Sequence, residues 1–280
     1  MHTHTHVIQR HYDEVIAPHY DLDPQSVIGD SLDRAIAQIQ ESQLIEPRRG
    51  RLKVFDIGMG TGRFLEKLTA QVGLSIEPFG LDLSQKMIDV ARTRIPGLVT
   101  AVDDAANMDA YFQSESFDLI STHFMTGFVP MSLLAPKIWS KLAEGGYWSF
   151  VGGTKAGFPE LQKKANAKSL RWLFGGNSID VDAQVTNPAD RSEVIQTLES
   201  NGFVIQGCDT FIPELHFADF DEFLEFGYWG GWLTPFIEAL GLQHARPLVR
   251  LFLNKFVFPA EDHHNIEIVL AQKPVQDPSP

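Results

Sequence analysis

The sequence holds a single cysteine in 280 residues, Cys208. One thiol excludes a disulfide within the chain and a cysteine-built metal cluster. Cys208 stands between Gly207 and Asp209 beside an apolar run, where packing is its expected role. No run approaches the roughly 18 apolar residues of a membrane span. The first residues, MHTHTHVIQRHYDE, hold no apolar core of the kind a secretory signal has, and their alternating histidines read as a short polar tail. A cytoplasmic protein is expected. Basic charge is also scarce: 23 Lys and Arg stand against 36 Asp and Glu, a net charge of −13. Nucleic-acid recognition needs a basic footprint, so no nucleic-acid partner is expected. An acidic field of this kind tolerates a cationic ligand. The phosphate-cradling pattern GxxxxGK[ST] is missing, which excludes a P-loop.

What is present is an alternation. Two helical stretches, 7–17 and 31–45, come first, with Ser31 as a candidate N-cap for the second. Strands are expected at 52–58, 76–84, 97–105, 116–124 and 145–153, with helices at 63–72, 84–95 and 132–142, the last interrupted by Pro136. Strand and helix repeating at this spacing argue for a parallel sheet with helices on both faces. Beyond residue 153 the rhythm breaks. Strands at 203–212 and 264–274 flank about fifty residues rich in aromatics, too long for a plain connection. The expected organisation is an N-terminal helical cap (1–50), a cofactor-binding core (51–151), a helical insertion (152–202), and the end of the core sheet (203–280) interrupted by an aromatic helical lid (213–262).

The chemistry concentrates at VFDIGMGTGRF, residues 54–64, where Gly58, Gly60 and Gly62 follow a strand. Each glycine weakens a regular element by about 0.5–1 kcal/mol relative to alanine, so a close backbone approach or a positive φ is expected. The spacing is GxGxG, one residue short of the dinucleotide fingerprint GxGxxG, which leaves less room for a pyrophosphate. Asp82, twenty residues after Gly62, ends the second strand, where a carboxylate meets both hydroxyls of a ribose. Asp104 is placed to accept from an exocyclic amine, the Ala105 amide to donate to a ring nitrogen, and Asp56 to receive an α-amino group. Together they suit a ligand with an amino group, a ribose and an adenine, and no phosphate.

In this order and spacing, VFDIGMGTGRF, FGLDLS, VDDAANM, FDLISTHF and LAEGGYWSF resemble the successive motifs of class I S-adenosylmethionine-dependent methyltransferases over 52–151. The opening HYDEVIAPHYDLD is similar to the segment that begins many small-molecule members, including those of quinone biosynthesis, in which a tyrosine closes over the cofactor. The resemblance implies a doubly wound, Rossmann-like α/β fold with a seven-stranded mixed sheet whose last strand is antiparallel. It implies S-adenosylmethionine as cofactor, with S-adenosylhomocysteine as product and no metal. The implied cofactor-binding set is Tyr12, Tyr20, Asp56, Gly58, Met59, Gly60, Gly62, Asp82, Leu83, Asp104, Ala105 and Thr122.

Methyl transfer from a sulfonium mainly demands alignment and desolvation. A base is needed only for a neutral hydroxyl or a weakly acidic carbon. Relatives carry histidines shortly after the fourth strand, but those positions here read Gly127 and Phe128. The catalytic candidates are His123 at the strand end, His263 and His264 before the last strand, and His216 after the sixth. Phe217, Phe220, Phe223, Phe226, Tyr228, Trp229, Trp232 and Phe236 crowd the second insertion and point to an apolar acceptor. Lys164, Lys168 and Arg171 share one helix face, read as solvated. The expected activity is O-methylation of a small, mainly apolar metabolite. Carbon methylation of a quinone-like ring, a nucleotide-dependent oxidoreductase and a non-catalytic S-adenosylmethionine-binding protein are the alternatives. A homodimer is compatible with the sequence.

Overall fold

The computed structural model describes residues 2–42, 44, 51–73, 75–165 and 186–275. Seven strands form one sheet: β1 (Leu52–Ile57), β2 (Ile76–Asp82), β3 (Val99–Val102), β4 (Phe117–His123), β5 (Leu142–Gly153), β6 (Val204–Phe211) and β9 (Ile266–Gln272), in the order β3-β2-β1-β4-β5-β9-β6. β1 through β5 pair in parallel, and β9 runs antiparallel to both of its neighbours, β5 and β6. This is the mixed, doubly wound sheet expected from the sequence. β1, β4 and β5 are buried over most of their length because helices cover both of their faces.

On one face Phe55, Ile57, Ile120, Trp148 and Phe150 pack against Leu134 and Ile138 of α5 (Met131–Lys141) and Val194 and Leu198 of α7 (Arg191–Ser200). On the other, Val54, Leu119, Tyr147 and Leu270 meet Leu32, Ile36 and Ile39 of α2 (Val27–Glu41) and Phe64, Leu65 and Leu68 of α3 (Arg63–Val72). α4 (Gln85–Arg94) is capped by Ser84, whose hydroxyl accepts from the Met87 amide at 3.1 Å. Cys208 is half-buried against the first of these clusters, as packing requires.

Three local expectations change. Ser31 does not cap α2. The Asp23 carboxylate accepts from the amides of Ile28 and Gly29 at 3.1 and 2.7 Å, so the helix starts earlier and Ser31 lies inside it, bonded to the Val27 carbonyl. α5 runs through Pro136 unbroken although the proline stands at its middle, where the missing N–H removes one ladder bond. The histidine-rich start is not a loose tail: α1 (His2–His11) leads into a π-turn, Tyr12–Ile16, and Gln9 donates to the Leu83 carbonyl at 3.0 Å.

The segment between β6 and β9 opens and closes with a hairpin that the sequence did not suggest, β7 (Glu214–Phe217) against β8 (Ala260–His263). Between them lie α8 (Phe220–Leu224), a π-turn at Glu225–Trp229, α9 (Thr234–Ala239) and α10 (Pro247–Phe256). After β5 comes α6 (Pro159–Ala165). Lys164 on it donates to the Val257 carbonyl at 3.0 Å, while Lys168 and Arg171 lie outside the described residues.

Trp148 is fully buried, and its indole N–H donates to the Thr122 hydroxyl at 2.8 Å. Replacing Thr122→Val leaves that donor unpartnered in the core. The expected loss is about 1–3 kcal/mol of stability, measured by urea denaturation of the two proteins.

Candidate active site

The glycine turn is built by three separate close approaches. Gly58, Gly60 and Gly62 have φ of 68°, 54° and 77°, the left-handed region that side chains rarely adopt. A Cβ on Gly62 would come within 3.0 Å of the Ala91 methyl, so that glycine lets α4 approach. One on Gly60 would touch the Tyr20 ring at 3.4 Å, and one on Gly58 the Met125 side chain at 3.3 Å. The chain turns there because the Gly58 and Met59 amides both donate to the Leu81 carbonyl, at 2.7 and 3.2 Å.

Acids line the carboxyl edge of the sheet beside this turn. Asp82 is buried and accepts from the amides of Gly60 and Ser84, each at 2.8 Å. Burial pushes its carboxyl up to about 6 against the pull of those amides. Asp56, 2% exposed, accepts from the Ser121 hydroxyl at 2.7 Å, and burial, with the charge of Asp82 adding, pushes it up to about 7. Among the described residues neither has a cation as a hydrogen-bond or ion-pair partner. Asp104 accepts from the Ala106 amide at 2.9 Å and caps a 3-10 turn at Ala105–Ala110. Met59 turns away from the edge. Its sulfur fills the space over Gly80, where a Cβ would sit 1.9 Å from it. Leu83 holds Gln9 through its carbonyl, and the Thr122 hydroxyl serves Trp148.

The N-terminal segment is stapled over the turn by three aspartates. Asp13 accepts from the Ser84 hydroxyl at 2.6 Å and the Lys86 amide at 3.1 Å. Asp21 accepts from the Thr61 hydroxyl at 2.7 Å and pairs with Arg94. Asp23 pairs with Arg63 at 3.1 Å. This brings Tyr20 onto Gly60 and sets Tyr12 edge-on to Phe128, with ring centres 5.8 Å apart. Burial raises both phenols above their usual range, and the negative charge of Asp82 raises both further.

The four histidines separate. His123 is buried at the end of β4, its Nε2 paired with the Ser149 hydroxyl at 3.0 Å and its ring edge-on to Phe64 at 4.4 Å. His264, between β8 and β9, is 4% exposed. Its ring stacks on Phe158 at 4.4 Å, meets Trp232 edge-on at 5.5 Å, and fills the space beside Gly153 and Gly157 that any Cβ would occupy. Burial pulls each of these two imidazoles down to about 3, so both are neutral near pH 7. Nδ1 of each is buried without a partner, as are Thr154 Oγ1 and Asn265 Oδ1, whose residues adjoin His264. His263 is half-buried on β8, while His216 points outward, its side chain 62% exposed and 3.8 Å from Glu261. The topological argument for the β9 entrance therefore brings His264 to the sheet edge and leaves His216 at the surface.

Phe217, Phe220, Phe223 and Phe226 are buried and form the insertion's own core. Trp232 reaches across from them: it stacks on Phe226 at 5.5 Å and meets Phe124 at 5.0 Å. Tyr228 packs on His11 at 4.8 Å and Trp229 faces His19 at 6.2 Å, tying the insertion to the N-terminal segment. Phe124 and Phe158 escaped the sequence reading. Both have positive φ, 57° and 56°, a conformation costly for an aromatic residue and concentrated at functional sites. Among the described residues no three His, Cys, Asp or Glu side chains converge as a metal site, and no helix is long and apolar enough to cross a membrane.

Residues 54–146 match the family described as "Methyltransferase domain". No curated protein matches the chain. Among solved structures, a candidate methyltransferase of Bacillus halodurans aligns with a TM-score of 0.57 and 17% identity, over 87% of this chain and 100% of its own. The YcgJ protein of Bacillus subtilis aligns with a TM-score of 0.56 and 16% identity, over 87% and 100%. At such identities these neighbours speak for the fold. The family match covers the turn and the acid-bearing strands, so residues 54–146 are similar to a methyltransferase domain, and the sheet order is that of the fold these neighbours share.

Proposed function

We propose that the protein transfers a methyl group from S-adenosylmethionine to an oxygen of a small, mainly apolar metabolite. The observation that carries this is the pair of buried carboxylates, Asp56 and Asp82, beside a positive-φ glycine turn, with no cation among the described residues bonded to either. Such groups are costly unless a ligand supplies the missing donors. A ribose offers two hydroxyls to Asp82, and an α-ammonium group offers a charge to Asp56. Asp104 and the Ala105 amide suit the adenine, and Tyr12 and Tyr20 cover the site. When bound, the cofactor supplies an electrophilic methyl group on a good leaving sulfide. The protein's part is to align the acceptor and exclude water.

For the acceptor, Phe124, Phe158 and Trp232 offer apolar faces around His264. The neutral imidazole is able to accept a hydrogen bond from an acceptor hydroxyl and hold it toward the methyl group. Carbon methylation of a quinone-like ring is the second reading, favoured by the aromatic character of those same faces. Residues 1–50 and 213–262 act in this reading as cap and lid.

Asp82→Ala is expected to weaken S-adenosylhomocysteine binding by about 1–3 kcal/mol, roughly 5- to 150-fold in Kd, through loss of a charge-assisted pair of hydrogen bonds. Calorimetric titration checks it. Unchanged affinity removes the ribose assignment, and a melting shift with NADH but none with S-adenosylmethionine favours an oxidoreductase instead.

The raised carboxyl of Asp56 has a pH signature. The folded protein keeps a proton that the unfolded chain releases earlier, so this group lowers stability as pH rises from about 4 to about 7. Asp56→Asn is expected to gain stability relative to the parent across that window, read from denaturation at several pH values. Because an ammonium group needs the ionised carboxylate, S-adenosylhomocysteine affinity of the parent protein should rise with pH over the same range.

His264→Ala is expected to lower kcat about 10²–10⁴-fold, the usual contribution of a proton-handling group, with S-adenosylhomocysteine affinity held within about twofold. Product release measured with a panel of phenols and hydroxylated aromatics checks it. Equal losses of cofactor affinity and stability would show that the ring only packs.

A further inference from the structure

The 22 residues from Ala239 to Ala260 contain no Asp or Glu, in a chain that has 36 of them, yet include His244, Arg246, Arg250 and Lys255. α10 lies within this stretch and leaves large apolar side chains in water: Leu248 is 80% exposed, Leu251 66% and Phe256 66%. At offsets of three and eight residues they fall along one side of the helix, and Lys255 sits among them. Phe252 extends the ridge, half-buried and 4.8 Å from the Phe256 ring. The opposite side is spoken for. Leu253 is buried in the insertion's core, and Arg250, about 200° around the helix from Leu248, pairs with Asp221 and lies 5.2 Å over the Phe220 ring. Covering the ridge would take this apolar surface out of water, which favours a partner that offers an apolar boundary.

We propose that α10 docks onto an anionic lipid bilayer surface. Leu248, Leu251 and Phe256 enter the headgroup boundary, while Lys255 and Arg246 meet lipid phosphates. An apolar ridge with basic residues, on a stretch from which acids are excluded, complements such a surface in both hydropathy and charge. The ten-residue helix, about 15 Å long, lies on the bilayer and does not cross it. A second copy of this chain fits less well. A two-fold contact through the ridge would bury Lys255 against apolar groups, with no acid in 239–260 to pair it. At a bilayer the lysine stem stays apolar-side and its ammonium reaches the phosphates. Because α10 belongs to the segment that carries Trp232, docking would place the aromatic cover near dissolved apolar compounds.

The test is sedimentation of the full chain with vesicles, a readout independent of methyl transfer. The protein is expected to sediment with vesicles of equal phosphatidylcholine and phosphatidylglycerol, to stay in solution with phosphatidylcholine alone, and to be released by high salt. Leu248→Glu/Leu251→Glu and Arg246→Glu/Lys255→Glu should each lower the partition coefficient at least about tenfold. Circular dichroism and S-adenosylhomocysteine binding should be unchanged, since all four side chains lie outside the cofactor site. Absence of binding to anionic vesicles, equal binding to both vesicle types, or parent-like binding by the double variants overturns the proposal. So does a dimer in sedimentation velocity that Leu248→Glu/Leu251→Glu abolishes, which would assign the ridge to a second copy.

Discussion

Taking a carboxylate out of water costs several kcal/mol unless hydrogen bonds or a counter-charge offset it. Asp56 and Asp82 are both buried at the carboxyl edge of a parallel sheet, one held by a serine hydroxyl and the other by two amides. Those donors offset only part of the cost, which is why both carboxyls rise well above their ordinary range. The neighbouring architecture follows from holding them there. The glycine turn brings the Gly60 amide to Asp82, and the Ser84 cap of α4 brings a second amide.

The N-terminal segment is fixed to the same place by groups of a different kind. Asp13, Asp21 and Asp23 bind hydroxyls, an amide and two arginines at the rim. Ile16, fully buried, adds an apolar anchor against the insertion near Gly231.

Much of this was legible in the chain. Strand-length segments that alternate with helix-length ones and lead to Asp56, Asp82 and His123 identify parallel strands and mark their carboxyl ends. The three glycines signal positive φ without saying what approaches them; Tyr20, Met125 and Ala91 come from three distant parts of the chain. The β7–β8 hairpin was hidden because its strands have four residues each and lie more than forty apart in sequence. Met59 and Thr122 show by their sequence position only that they lie near the strand ends; that their side chains pack over Gly80 and accept from Trp148 is set by distant parts of the chain. Phe124 and Phe158 carried no sequence signal, since positive φ at a phenylalanine is imposed by its surroundings.

The sequence by itself determined the alternating strands and helices of a parallel sheet, the glycine turn and the acids that follow it. These depend on local periodicity, strand-end position and residues that turn the backbone, all of which are written within some ten to twenty neighbours. Only the tertiary structure decided which histidine is enclosed by aromatics, where the N-terminal aspartates attach, and which face of α10 is left in water. Each of those outcomes depends on contacts between segments a hundred or more residues apart, as when His264 occupies the space that Gly153 and Gly157 leave open.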